Sequence, residues 1–224
     1  MWHEFPSHAS YLDALVRDIS STLRDAVTRD GRACLAVSGG RSPIALFNAV
    51  SRADLPWSSI AITLVDERFV PPDHVDSNER LVREHLLQNR ARAATFNGLV
   101  SQPDNLQHSL DHANRQHAAL TLVLLGMGDD GHTASLFPDA PQLAQGLDSQ
   151  QTKRYLHLTP TRAPHERISL TLTALLSAQR IMIAIAGPAK RQVLAQAAEG
   201  PNPALPISYV ITQKEVPFDV YWHD

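Results

Sequence analysis

General-base chemistry in this chain centres on His132, which closes the turn of the segment TLVLLGMGDDGHTASLFP (residues 121–138). The segment reads as strand, glycine turn and helix, and Gly126, Gly128 and Gly131 fit the G-x-G-x-x-G dinucleotide fingerprint. Three features argue against a dinucleotide. Asp129 and Asp130 place negative charge where a pyrophosphate would lie, the turn comes too late in the chain, and no strand-end acid follows about 20 residues on. No nicotinamide or flavin is therefore expected. At or near a helix N-terminus the dipole disfavours imidazolium, so His132 is expected as a neutral ring able to take a proton from water. A capping or structural histidine is the competing reading.

Other segments supply partners for such a base. In SGGRSP (residues 38–43), Gly39 and Gly40 let the backbone approach a ligand, and Ser38, Arg41 and Ser42 add hydroxyls and a cation. Placed between strand and helix, this turn suits an anion, most plausibly phosphate, or is simply a tight connection. It is not a P-loop, and as a nucleophile elbow it would come too early and be followed too late by a helix. Asp66 and Arg68 stand directly after an apolar run, as base, orienter or carbonyl ligand, or as a salt-bridged turn. Arg167 and Lys190 follow later runs and, brought to one sheet edge, would complete a phosphate clamp. His108, His112 and His117 show no completed metal pattern, and no metal is expected.

The elements that must position these residues follow from periodicity. Leu12, Leu15, Val16, Ile19, Leu23 and Val27 mark an amphipathic helix over residues 8–29. Buried strands are expected at residues 33–37, 60–65, 120–125, 155–159, 180–186 and 207–211. Helices are expected at 43–50, 78–88, 104–117, 169–176 and 188–198, with Pro43 and Pro188 in first turns and Asp76 with Glu79 as a capping box. Such alternation predicts a doubly wound α/β fold, with a mostly parallel sheet covered on both faces and ligands beyond the strand C-termini.

With 224 residues, 43% hydrophobic and 19% charged, the chain is expected to form a single domain. A net charge of −3 without a basic run argues against nucleic acid as a partner, and no apolar run is long enough to span a membrane. The lone Cys34 sits in ACLAV as a buried thiol, which with the absence of a leader pattern points to the cytoplasm.

The motifs SGGRSP, VDERFVPPDHVDSN, LLGMGDDGHTASLFP, RISLTLTALLSA and IAGPAK, in this order, resemble the glucosamine-6-phosphate isomerase/6-phosphogluconolactonase family, specifically the small lactonases. The resemblance spans residues 34–190, and the G-x-G-x-DGHTASLFP pattern is its most specific part. It implies a Rossmann-like fold and cofactor-free hydrolysis of 6-phospho-D-glucono-1,5-lactone to 6-phosphogluconate, the second step of the oxidative pentose phosphate pathway. The only partner implied is this small sugar-phosphate lactone, with the chain a monomer or weak homodimer. Arg41 and Ser42 depart from the family's usual Ser/Thr-Thr, Asp129 stands where Pro is frequent, and an acid common near Thr121 is replaced. Sugar-phosphate deaminases carry a Glu five residues after the histidine, and here that place is Phe137. In this scheme Gly39, Gly40, Ser42, Arg167 and Lys190 hold phosphate and His132 activates water. Arg68 or the amides of the turn around Gly128 and Gly131 stabilise the oxyanion, and Asp66 orients His132 or a sugar hydroxyl. A sugar-phosphate sensor without turnover is the remaining alternative.

Overall fold

The computed structural model describes residues 1–116 and 118–224. In chain order, β1 (Trp2–Phe5) leads into α1 (His8–Asp30), β2 (Ala33–Val37), α2 (Ile44–Val50), β3 (Ile60–Leu64) and β4 (Asp66–Arg68). Next come α3 (Asn78–His85), β5 (Thr95–Asn97), α4 (Leu106–Arg115), β6 (Leu122–Leu125), α5 (Leu143–Leu147) and β7 (Tyr155–Leu158). The chain closes with β8 (Arg167–Leu170), α6 (Leu172–Leu176), β9 (Arg180–Ala186), α7 (Pro188–Ala197), α8 (Ser208–Ile211) and β10 (Phe218–His223).

Seven strands form a parallel sheet in the order β1-β10-β9-β6-β2-β3-β5. All five residues of β2 and all four of β6 are buried, which is why these strands read as unbroken apolar runs instead of alternating ones. From β2 the chain winds one way through β3 to β5, and from β6 the other way through β9 to β10. The boundary between β2 and β6 is thus the topological switch point, where a crevice opens beyond the strand C-termini.

The stripe on α1 packs against β2, β6, β10 and α2. Leu15, Ile19 and Leu23 are fully buried, each worth about 1.5–3 kcal/mol, whereas Leu12, Val16 and Val27 lie at its margins. Ser7 caps the start by accepting from Ser10 N at 3.2 Å, and Gly31, at φ 72°, ends the helix by donating to Val27 O. Among the described residues, no helix is long and apolar enough to cross a membrane.

Several expectations are corrected. ISYVI (residues 207–211) is not a strand: it contains the short helix α8, because Ile207 and Val210, three apart, face the core while Ser208 Oγ ties back to Asn202. The segment 169–176 begins in β8, and only residues after Thr171, which caps the turn through its side chain, are helical. Residues 155–158 belong to a separate antiparallel sheet, β4-β8-β7, so this strand does not extend the parallel sheet. The cap of α3 is Ser77, accepting from Arg80 N at 3.2 Å, in place of the expected Asp76. The helix expected over 104–117 is α4, with His117 outside the described residues. Strands β1 and β10 and the short β5 complete the large sheet unannounced by any strong pattern.

Candidate active site

At the switch point lies a cavity of about 260 Å³. Ser38, Gly39, Gly40 and Ser42 reach it from the β2–α2 turn, and Asp66, Arg68 and Asn78 from β4 and the start of α3. Gly128, His132 and Thr133 come from the turn after β6, Lys190 from α7, and Tyr11 and Leu12 from α1. Arg41, Gly131 and Arg167 are not among its lining residues.

The antiparallel sheet explains how the acid and arginine arrive. Val65 N donates to Val37 O while Val65 O accepts from Leu170 N, so the chain leaves the parallel sheet at Val65 and pairs Asp66–Arg68 with Arg167–Ser169. Asp66–Arg68 is thus a strand and not the charged turn its composition suggests. Between its two cavity-lining residues, Glu67 points into protein, where its oxygens accept from the amides of Arg68, Asn78 and Glu79 and from Ser77 Oγ. Burial pushes its carboxyl up to about 7 against those four donors. These bonds clamp the start of α3 to β4 and hold Asn78 Nδ2 against Asp66 O at 2.8 Å. Asn78 in turn explains Gly39, because a Cβ there would lie 1.9 Å from Asn78 Oδ1. Gly40, at φ 88°, meets no such neighbour and is required by its left-handed backbone.

His132 does not lie at a helix N-terminus, since residues 131–138 form turns and an isolated bridge, Thr133 to Leu136. The expected helix-dipole argument therefore does not apply. A carboxylate takes its place: Asp130 Oδ1 is 2.5 Å from His132 Nδ1 and also accepts from His132 N at 3.1 Å. Partial burial raises the Asp130 carboxyl, but the hydrogen bond and charge of His132 outweigh it and hold the acid below its ordinary range. With Nδ1–H donating to an ionised acid, Nε2 carries the lone pair. Phe137 stacks on the imidazole, with centroids 4.0 Å apart and 25° between planes, and fixes the ring's second degree of freedom. Phe137 is therefore a packing partner of the His132 ring.

The acidic turn, read from sequence only as repulsive to pyrophosphate, thus supplies the orienting group. Asp66, expected to orient His132 or a sugar hydroxyl, lines the cavity and accepts from Ser135 Oγ at 2.5 Å. A D-x-H spacing was the available signal. Gly128 is demanded by the same contact, since a Cβ on it would stand 2.2 Å from the His132 ring and 2.6 Å from Asp130 Oδ1. Its backbone is not left-handed, so Gly128→Ala tests pure displacement of the dyad. A shift near 1 Å should lower kcat by about 100-fold while thermal stability changes little, and unchanged turnover would show that the ring has room to move.

Arg68 donates from Nη1 to Asp76 O at 2.7 Å, and its Nε is buried without a partner among the described residues, as is Ser38 Oγ. The amides of Gly39, Gly40 and Ser42 likewise have no acceptor among the described residues. Lys190, three residues beyond the left-handed Gly187 (φ 85°), makes no ion pair with a described residue. Arg167 is 4% exposed, donates to Pro164 O, and has its guanidinium 5.7 Å from the Phe137 ring centroid. Burial lowers its pKa. Arg41 is exposed at the rim, and Gly131 (φ 75°) packs its Cα against Leu205.

Residues 6–222 match the family model described as glucosamine-6-phosphate isomerases/6-phosphogluconolactonase. A 6-phosphogluconolactonase of Neisseria meningitidis serogroup A is 42% identical over 230 residues, covering 99% of this chain and 98% of that protein. A crystal structure of a putative 6-phosphogluconolactonase from Neisseria gonorrhoeae superposes with a TM-score of 0.96 at 42% identity, covering 100% of this chain and 99% of that one. A 6-phosphogluconolactonase structure from Shewanella baltica gives 0.94 at 38% identity, covering 100% and 97%.

Proposed function

The chain belongs to the glucosamine-6-phosphate isomerase/6-phosphogluconolactonase family, and we propose that it hydrolyses 6-phospho-D-glucono-1,5-lactone to 6-phosphogluconate. The observation that carries this reading is His132. Its Nδ1 is fixed by Asp130 at 2.5 Å, and the residue lines a cavity shared with Arg68 and Lys190.

In the proposed reaction His132 Nε2 accepts a proton from water as the water oxygen bonds to C1 of the lactone. Arg68, whose Nε lacks a partner, or amides of the 126–131 turn stabilise the tetrahedral oxyanion. The C1–ring oxygen bond then breaks, and the ring oxygen takes the proton from the imidazolium, leaving an acid and a hydroxyl. Gly39 and Gly40 amides, Ser42 and Lys190 hold the phosphate, each charge-assisted hydrogen bond contributing about 1.5–3 kcal/mol. Asp66 holds Ser135 and, through it, the residues just beyond the base. Arg167 lies against the Phe137 ring, and Arg41 is exposed. The reaction so drawn uses no cofactor and no metal.

The deaminase reading needs a second acid beside the histidine, and Phe137 occupies that place. We read the chain as one domain acting in the cytoplasm on a small-molecule substrate, without nucleic acid or membrane, as a monomer or weak homodimer. A coupled assay separates the readings: 6-phosphogluconate from the lactone, fructose-6-phosphate from glucosamine-6-phosphate, or binding without turnover. Since the lactone also hydrolyses unaided, the rate is taken above a control without protein. Lys190→Ala should raise KM for the phosphorylated lactone by about 10- to 100-fold and matter little for gluconolactone lacking phosphate. Equal losses on both would remove Lys190 from the phosphate site.

A further inference from the structure

Outside the catalytic cavity, one group of three metal-type ligands stands together among the described residues: His74, Asp76 and His165. His74 and Asp76 lie in the loop between β4 and α3, and His165 lies 89 positions beyond Asp76, between β7 and β8. Pairing of β4 with β8 brings these two loops to the same end of the small sheet. His165 Nε2 is 3.0 Å and His74 Nδ1 3.8 Å from the same atom, Asp76 Oδ2, and the three ligand atoms lie within 4.8 Å of one another.

Two ligands bound at about 2.0–2.2 Å to one tetrahedral ion are about 3.3 Å apart. The two separations from Asp76 Oδ2 bracket that value, and the two histidine nitrogens lie within 4.8 Å of each other. The imidazole rings meet at 77° with centroids 5.6 Å apart, edge towards face, which leaves room between their nitrogens. His165 sits at φ 71°, a left-handed conformation uncommon for a residue with a side chain, and this backbone turns its ring towards Asp76.

We propose that His74, Asp76 and His165 bind one divalent transition-metal ion of the zinc type, separate from the catalytic dyad, with water in the fourth position. Two neutral imidazoles and one carboxylate suit zinc, cobalt or nickel better than calcium or magnesium, which prefer all-oxygen shells. Without metal the same groups are joined by hydrogen bonds, His165 Nε2 with Asp76 Oδ2 at 3.0 Å and Asp76 N donating to His74 Nδ1 at 3.1 Å. Metal entry displaces that bond and any proton on His165. Because Arg68 Nη1 is bonded to Asp76 O, the ion ties down the loop that holds the cavity's arginine. The assignment does not depend on the lactonase reading.

The test uses the full chain, stripped by a chelator and then titrated with Zn(II) by calorimetry and with Co(II) by visible absorption. One ion per chain, tetrahedral-type cobalt bands and a raised Tm in Zn(II) are expected. His74→Gln and His165→Gln should each weaken binding by at least about 100-fold, since even outer partners of metal ligands are worth 10- to 100-fold. His132→Gln should leave stoichiometry and affinity unchanged. Absence of a one-to-one ion, equal affinity in both ligand variants, or loss of binding in His132→Gln overturns the proposal. Should the ligand variants fail to fold, the wild-type chain still decides: Zn(II) should protect His74 and His165 from diethyl pyrocarbonate, and unprotected labelling of both also overturns it.

Discussion

Replacing His132 with Ala should lower kcat by about 10²- to 10⁴-fold and leave KM nearly unchanged, the signature of a lost general base. The measurement is 6-phosphogluconate formation above the spontaneous rate. Asp66, the carboxylate lining the cavity, has its Oδ2 engaged by Ser135 at 2.5 Å. The substitution also removes the ring stacked on Phe137, so Tm should be recorded alongside to separate lost chemistry from lost packing. Added imidazole should restore part of the rate in the Ala variant. Near-wild-type turnover without imidazole would take His132 out of the mechanism.

Asp130→Asn should cost nearly as much, roughly 10²- to 10⁴-fold in kcat, although it deletes no atom that touches substrate. An amide can donate to His132 Nδ1, which then keeps its lone pair and forces the proton onto Nε2. The ring in that tautomer cannot accept a proton from water. Asp130→Asn should therefore fold normally, retain KM and lose turnover. The paired variant is Asp66→Asn, which breaks the Ser135 contact while leaving the Asp130–His132 bond in place. A larger kcat loss from Asp66→Asn than from Asp130→Asn would return the orienting role to Asp66.

Much of the scaffold was readable from local pattern. The runs at 33–37 and 180–186 are β2 and β9 to the residue, because central parallel strands are buried on both faces and need continuous apolar side chains. Helix α1 followed from a stripe whose spacing leaves little choice. Where a run was short the same reasoning failed: the five residues ISYVI at 207–211 suit a strand or one helical turn equally, and contacts from Asn202 and the core select the turn. The small antiparallel sheet was invisible for another reason. Residues 66–68 are charged on a strand only three residues long, and what makes them a strand is a partner 99 to 103 positions away, Arg167 to Ser169.

The candidate site divides along the same line. By itself the sequence determined the α/β class, the turns that end at one sheet edge, and the presence there of a glycine-held histidine, a hydroxyl-glycine turn and several cations. These are encoded by residue type and short spacing, where sterics and hydrogen-bonding capacity act over a few residues. Only the tertiary structure decided which acid serves the histidine, which arginine faces the cavity, and that His165 meets Asp76. Asp66 and Asp130 both lie within reach of a histidine by topology. The switch into the second sheet at Val65 commits Asp66 to Ser135, leaving Asp130, two residues from His132, to bind its ring. Arg68 and Arg167 are paired on neighbouring strands, yet Arg68 lines the cavity while Arg167 is buried near the Phe137 ring. Such choices depend on strand pairing across many residues, a long-range property that no local pattern records.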